Sequence, residues 1–400
     1  MRFKASERSH RVTYAIRDIV VEAKKLERQG KKIIYLNIGD PLKYDFRTPQ
    51  HLWEAVFDCK RKGECYAPSE GISEAREAIA RDFERKGMHV DAEHIMIGNG
   101  CSELIWFAMS CIANPKENIL LPRPAYPVYP AALNYFDIET RYYELDEENF
   151  WQPDVESIRK QIDEKTKAIV VINPNNPTGS NYTKKTLEQI VDIAAEHNLV
   201  IFSDEIYDML ILDGEKHYCM GSLAKDVPAL VINGLSKNFL ATGFRIGWIA
   251  PNEYLIQNSD IMESIFRLGR ARLCAVHPFQ YAIKPALEGP KKHIEETVKK
   301  LKERRDYAMK RFEEIAQLSC VKPEAAFYAF PKIEIPIKDD KEFALALLRE
   351  KGVCVVHGSG FGQKPGTKHF RIVLLPPVEV LAEAFDRIDS FMRTLPENRK

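Results

Sequence analysis

Short apolar runs rich in β-branched residues alternate with amphipathic stretches along the chain. The runs are "IIYLNIG" (33–39), "IMIG" (95–98), "NILL" (118–121), "AIVVIN" (168–173), "LVIFSDE" (199–205) and "ALVING" (229–234). Several are apolar at both odd and even positions, the pattern of strands covered on two faces, so a mostly parallel sheet between helices is expected. Residues 73–87 and 184–198 carry helical periodicity, the second opened by Thr183 as N-cap and closed by Asn198. After Gly289 and Pro290, "KKHIEETVKKLKERRDYAMKRFEEIAQ" predicts a long charged helix without a breaker. Beyond it the runs at 325–336, 353–358 and 370–375, with helices at 339–352 and from Val378, predict a compact α+β unit. The fold class is therefore α/β, a large domain joined to a smaller α+β domain.

The chain has 400 residues, room for two such cores. Lys plus Arg and Asp plus Glu are 58 each, so no net field draws the protein to nucleic acid or to a membrane. No segment approaches the ~20 uninterrupted apolar residues of a membrane span, and the N-terminus lacks a signal-peptide core. A cytoplasmic protein acting on small molecules is expected. Eight scattered cysteines form no Cys-x-x-Cys pair and read as free thiols, and neither they nor the histidines show zinc spacing, so no metal is expected.

Charge is unevenly spread. Between Val227 and Asn252 the only charged residues are Lys237 and Arg245. A lysine kept from water has its pKa lowered and becomes a nucleophile for carbonyl carbon. "VIFSDEIY" puts Asp204 and Glu205 at a strand end, either as rim carboxylates or as ordinary capping acids. "NPNNPTG" (173–179) is turn chemistry, in which Asn176 equally serves its own backbone. "GNGCSELIWF" (98–107) is a Gly-rich turn into a helix, an anion cradle without a phosphate-loop lysine. Together these groups suit an aldehyde cofactor with a phosphate, a ring nitrogen and a phenolic oxygen: pyridoxal phosphate.

In that order, "YAPSEG", "GNGCSE", "PRPAYPVY", "NPNNPTG", "SDEIY", "LSKNFLATGFRIGW" and "HFRIV" resemble the class I aminotransferases of the fold-type-I pyridoxal phosphate family, from about residue 10 to 395. "LNIGDP", "INGLSK" and "RLCAVHPFQYAI" are most similar to the alanine (glutamate-pyruvate) aminotransferases. The resemblance implies a seven-stranded sheet in a large domain at 46–290. It further implies a small C-terminal domain at 291–400, with the arm and helix of 1–45 belonging to the small domain.

It also implies roles. Lys237 would bond the cofactor aldehyde and later carry the proton, Asp204 would pair with the ring nitrogen, Asn176 and Tyr207 with the ring oxygen, and Tyr126 would stack on the ring. Gly100, Cys101, Ser102, Ser236 and Arg245 would hold the phosphate, with Tyr66 reaching the phosphate of a second subunit in a homodimer. Arg371 would grip the substrate carboxylate, opposite the Gly39 backbone and beside Asn176. Where family members often have serine three residues before the lysine, this chain has Gly234. The implied reaction is ping-pong transamination, with L-alanine and 2-oxoglutarate as the leading pair. Tyr14, Arg17 and Arg272 are candidates for the distal end of the substrate. Alternatives are an aspartate or aromatic aminotransferase, a carbon–sulfur β-lyase, and a non-catalytic cofactor-sensing regulator.

Overall fold

A computed structural model describes residues 3–395, with the side chains of Arg17 and Asp18 outside that description. Its centre is an eight-stranded sheet in the order Met96–Gly98, Gly247–Pro251, Ala229–Gly234, Val200–Asp204, Thr166–Ile172, Asn118–Arg123, Glu139–Asp146, Gln152–Pro153. Seven match the number the resemblance implies, five of them at the apolar runs, and among the seven only Gly247–Pro251 runs against the others. The eighth is a two-residue strand that folds back on the edge. The central strands are buried on both faces, as their continuous apolar runs require.

Two strands of this sheet escape the apolar pattern. Glu139–Asp146 lies near the edge and alternates partly exposed Tyr142 and Glu144 with buried Tyr143 and Leu145, and Gly247–Pro251 is bounded by glycine and proline, the usual marks of a turn. Conversely, the run at 33–39 yields only Ile34–Tyr35, which pairs in parallel with Val353–Cys354 outside the large sheet.

"VCVVHG" is not one strand either: Val353–Cys354 and Val356–His357 serve different partners. The second lies beside Phe370–Val373, which also pairs with Tyr328–Ala329. Ile19, Ala23, Ile34 and Leu36 share one apolar core with Phe312, Phe343, Phe370 and Phe385. The long helix spans Lys292–Glu314, and its Arg304 meets Asp45 at 2.6 Å. Thr183 caps its helix by accepting from Thr186 N at 3.2 Å, and Asn198 ends that helix in the left-handed region at φ 53°. All eight cysteines are free thiols. No helix among the described residues is long and apolar enough to cross a membrane.

Candidate active site

The strands Thr166–Ile172, Val200–Asp204 and Ala229–Gly234 lie side by side and in register, Ile172 beside Asp204 beside Ile232. Their carboxyl ends therefore deliver Asn176, Asp204 with Tyr207, and Lys237 to one edge of the sheet, where open α/β folds bind ligands. A cavity of about 570 Å³ opens there, between that edge and the Phe370–Val373 strand. Its wall contains Gly39, Cys101, Ser102, Tyr126, Asn176, Asp204, Tyr207, Ser236, Lys237, Arg245 and Arg371, residues up to 332 positions apart in sequence.

Lys237 is partly buried, and its Nζ donates to the Gly39 carbonyl at 2.7 Å. It has no ion-pair partner among the described residues. Loss of water pushes its pKa down to about 8, with Arg371 and Arg245 adding to the depression and Asp40 opposing it. Asp204 is 4% exposed, and its carboxylate accepts from Tyr129 Oη at 2.8 Å and Ile206 N at 3.3 Å. Burial outweighs those two bonds and pushes its carboxyl up to about 6. An acid so disposed is stabilised in its charged form by any cation brought beside it.

Arg371 is 1% exposed, yet no carboxylate meets it among the described residues. Its Nη1 donates to Asn176 Oδ1 at 3.0 Å, its Nη2 to the Asn37 carbonyl, and its Nε has no partner. The guanidinium lies 4.6 Å from the Tyr328 ring centre and 4.8 Å from that of Phe361. A planar cation clamped between rings with a donor to spare is preorganised for an anion.

Gly100 precedes the helix Cys101–Ile112 at φ 82°. Its positive φ is what requires glycine there; a Cβ would also stand 2.5 Å from Arg245 Nη2 and push the guanidinium aside. Arg245 otherwise donates only to the Thr242 and Asn99 carbonyls, at 3.3 and 3.4 Å. The first-turn N–H groups, the helix dipole and this arginine converge as an anion cradle. Glu103, in the same turn, is drawn away by Arg272 at 2.9 Å. Gly234 has no room for a serine: a Cβ would meet the Ile246 carbonyl at 2.7 Å, and the Cys101 thiol fills the adjacent space, donating to the Asn233 carbonyl at 3.2 Å.

A matching family model, aminotransferase class I and II, covers residues 31–388. The chain belongs to the class I and II aminotransferases. Glutamate-pyruvate aminotransferase AlaA of Haemophilus influenzae is 39% identical over 397 residues, 98% of each chain. Alanine aminotransferase of Mycobacterium bovis is 38% identical, covering 98% of this chain and 92% of its own. The solved alanine aminotransferase of Pyrococcus furiosus superposes with a TM-score of 0.95 at 46% identity, covering 98% and 100%.

This aminotransferase is a pyridoxal phosphate-dependent transaminase, and the donor set fits the cofactor. An unpaired amine, a buried acid and a Gly100 cradle under a free guanidinium answer its aldehyde, ring nitrogen and phosphate. Tyr66 lies elsewhere, 75% exposed and away from the cavity of its own chain. Arg272 is also outside the cavity, held by Glu103 and the Ser69 and Ile97 carbonyls. Tyr14 is at the wall, its hydroxyl 2.7 Å from that of Tyr126; the Arg17 side chain lies outside the described residues. Sequence reading missed Tyr129, which serves Asp204, and Tyr328, 2.8 Å from the Tyr207 hydroxyl. Tyr129 ends the quoted "PRPAYPVY", but nothing local marks it as facing Asp204.

Proposed function

We propose that this aminotransferase exchanges the amino group between L-alanine and 2-oxoglutarate, giving pyruvate and L-glutamate. The observation that carries the reading is the cavity's set of cationic groups without carboxylate mates, Lys237, Arg245 and Arg371, around a buried acid. Three relatives named for alanine or glutamate-pyruvate transfer support the substrate pair.

Asp204 would pair with the ring nitrogen and keep it protonated. Tyr207 Oη and the Asn176 amide would donate to the ring oxygen, Asn176 Oδ1 remaining on Arg371. Tyr126 would stack on the ring. The amides at Gly100, Cys101 and Ser102, the Ser236 hydroxyl and the Arg245 guanidinium would hold the phosphate. Arg371 takes the substrate carboxylate in a two-bond fork opposite Gly39. When bound, pyridoxal phosphate supplies an aldehyde for the amino group and a ring that accepts the electrons released at the substrate Cα. Lys237 Nζ takes the Cα proton and returns it on the other side of the transfer. The loss of water that lowers its pKa to about 8 favours the free amine this role needs.

The active protein is a homodimer in the cytoplasm, with Tyr66 entering the partner's phosphate site. Tyr66 and Val276 are both exposed, their sequence neighbours Cys65 and His277 being joined by a bond from His277 Nδ1 to Cys65 O at 2.7 Å, and Trp53 and Phe57 stack as a further exposed apolar pair. Residues 1–45 and 291–400 form the small domain that carries Arg371 against the large domain of 46–290.

The test is the visible absorbance of the purified protein with pyridoxal phosphate. L-alanine is expected to bleach the long-wavelength band and 2-oxoglutarate to restore it. Bleaching by aspartate or tyrosine but not alanine overturns the substrate pair. Pyruvate released from cystathionine without any oxo acid overturns transamination in favour of a lyase.

A further inference from the structure

Behind the cavity wall lies a polar cluster that the proposed reaction does not use. Lys86, the residue that ends the helix Ser73–Arg85, places its Nζ 2.7 Å from Asp82 Oδ2 and 2.7 Å from Asp208 Oδ2. Asp208 Oδ1 in turn accepts from Asn238 Nδ2 at 2.6 Å, and Asn238 Oδ1 accepts from Met209 N at 3.3 Å. Asp82, Asp208 and Asn238 are 4%, 7% and 1% exposed. A fully satisfied buried network of this kind holds its members in one geometry.

Its place in the chain gives it a purpose. Asp208 directly follows Tyr207, in the turn after the Val200–Asp204 strand, and Asn238 directly follows Lys237, in the turn after Ala229–Gly234. The two strands are neighbours, but their ladder stops at Asp204 and Ile232, before either turn begins. The Asn238 amide, bonded to both the Asp208 carboxylate and the Met209 backbone, rejoins the two turns where the ladder has ended. We infer that Asp208 and Asn238 are a positioning pair that fixes Lys237 Nζ relative to Tyr207 Oη, with Lys86 and Asp82 anchoring the carboxylate from behind. The inference rests on the reading of Lys237 given above.

Asn238→Ala in the holoenzyme tests it. The wild type must first show a visible band that titrates with pH; its absence overturns the Lys237 reading itself. Given that band, the variant is expected to lose about 10-fold in kcat, since small misplacements near the chemistry are costly, while KM for the amino donor stays within about twofold. The pH midpoint of the band should move by about half a unit or more, because the groups facing Lys237 have shifted. A lower Tm with unchanged kcat and midpoint overturns the inference, leaving the pair merely structural.

If Asn238→Ala does not fold, Asp208→Asn is compared with the double variant Asp208→Asn, Asn238→Asp, in which amide and carboxylate exchange places. Both lack the Lys86 contact to a carboxylate at 208, so the difference isolates the pair. Recovery of kcat and midpoint towards wild type in the double variant supports the inference. No recovery, or a double variant that does not fold, overturns it.

Discussion

Arg305 and Arg371 are equally buried, each 1% exposed, but they are satisfied in opposite ways. Arg305 sits on Asp213 at 2.6 Å and Asp306 at 2.8 Å, with the Pro323 carbonyl at 3.1 Å. Arg371 has an amide oxygen, a backbone carbonyl, two ring faces and an Nε with nothing. The lysines repeat the contrast: Lys86 lies between two carboxylates and stays charged, its pKa pushed up by Asp208 and Asp82 in spite of burial, whereas Lys237 has a carbonyl and the Phe327 ring at 5.5 Å but no carboxylate among the described residues. A buried cation with its anion in the chain is part of the structure. One without is costly to the folded chain by itself, and its missing partner is a ligand.

The largest effect that would break this contrast comes from treating both lysines alike. Lys237→Met should lower kcat by roughly 10⁴-fold, removing nucleophile and proton carrier together. In a urea titration of the cofactor-free protein at pH 7 the variant should be no less stable than the parent and up to about 3 kcal/mol more stable, since no carboxylate loses a partner and an unmatched cation is removed. Lys86→Met leaves Asp82 and Asp208 facing each other and should cost about 3–5 kcal/mol in the same urea titration. Equal losses of stability from the two substitutions would show that Lys237 is structural.

Much of this contrast was legible in the sequence, though only on one side. The charge-poor surroundings of Lys237 and Arg245 are local, so the chain itself displays them, and the strand-end position of Asp204 follows from the apolar run before it. Only half of the mates of Lys86 and Arg305 are local, Asp82 and Asp306; Asp208 is 122 positions from Lys86, and a lysine at a helix end reads as a solvated one. Tyr129 and Tyr328 escaped for the same reason, meeting Asp204 and Tyr207 across separations of 75 and 121. "AAFYAFPKIEIP" announces strands but not which side chain turns to the cavity. The short strands of the Arg371 unit were blurred because Val353 to Val356 are buried throughout, so no alternation marks the break at Val355.

The arginines sharpen the contrast at an intermediate scale. Arg371→Lys keeps the charge but loses the planar fork, and KM for both the amino acid and the oxo acid should rise by about 10²-fold. Arg305→Lys should leave KM within about twofold and lower Tm by about 2 °C or more. A raised KM in the second variant, or an unchanged one in the first, would mean that pairing within the chain does not separate structural from ligand-binding arginines.

The smallest effect concerns Asp204, a buried acid of the cavity with no cation bonded to it among the described residues. Its carboxyl is pushed up to about 6, against an ordinary value near 4, so between those pH values the folded cofactor-free protein keeps a proton that the unfolded chain has lost. Stability must therefore fall as pH rises through that window, by up to about 3 kcal/mol, and stay reduced above it. Lys237 acts in the opposite sense between about 8 and 10.5: there the unfolded chain holds the extra proton, and stability recovers as pH rises. Asp204→Asn removes the charge, keeps an Oδ1 to accept from Ile206 N, and offers an Nδ2 that donates to Tyr129 Oη in place of the carboxylate oxygen that accepted from it. Without cofactor at pH 7 the variant should be more stable than the parent by about 1–3 kcal/mol, and its Tm should be flat from pH 4 to 6. With pyridoxal phosphate the order should reverse, because the parent's carboxylate then has a cationic ring nitrogen beside it. A variant less stable in both states would show that Tyr129 and Ile206 satisfy the charge by themselves, and that Asp204 belongs with Lys86 and Arg305 rather than with Lys237 and Arg371.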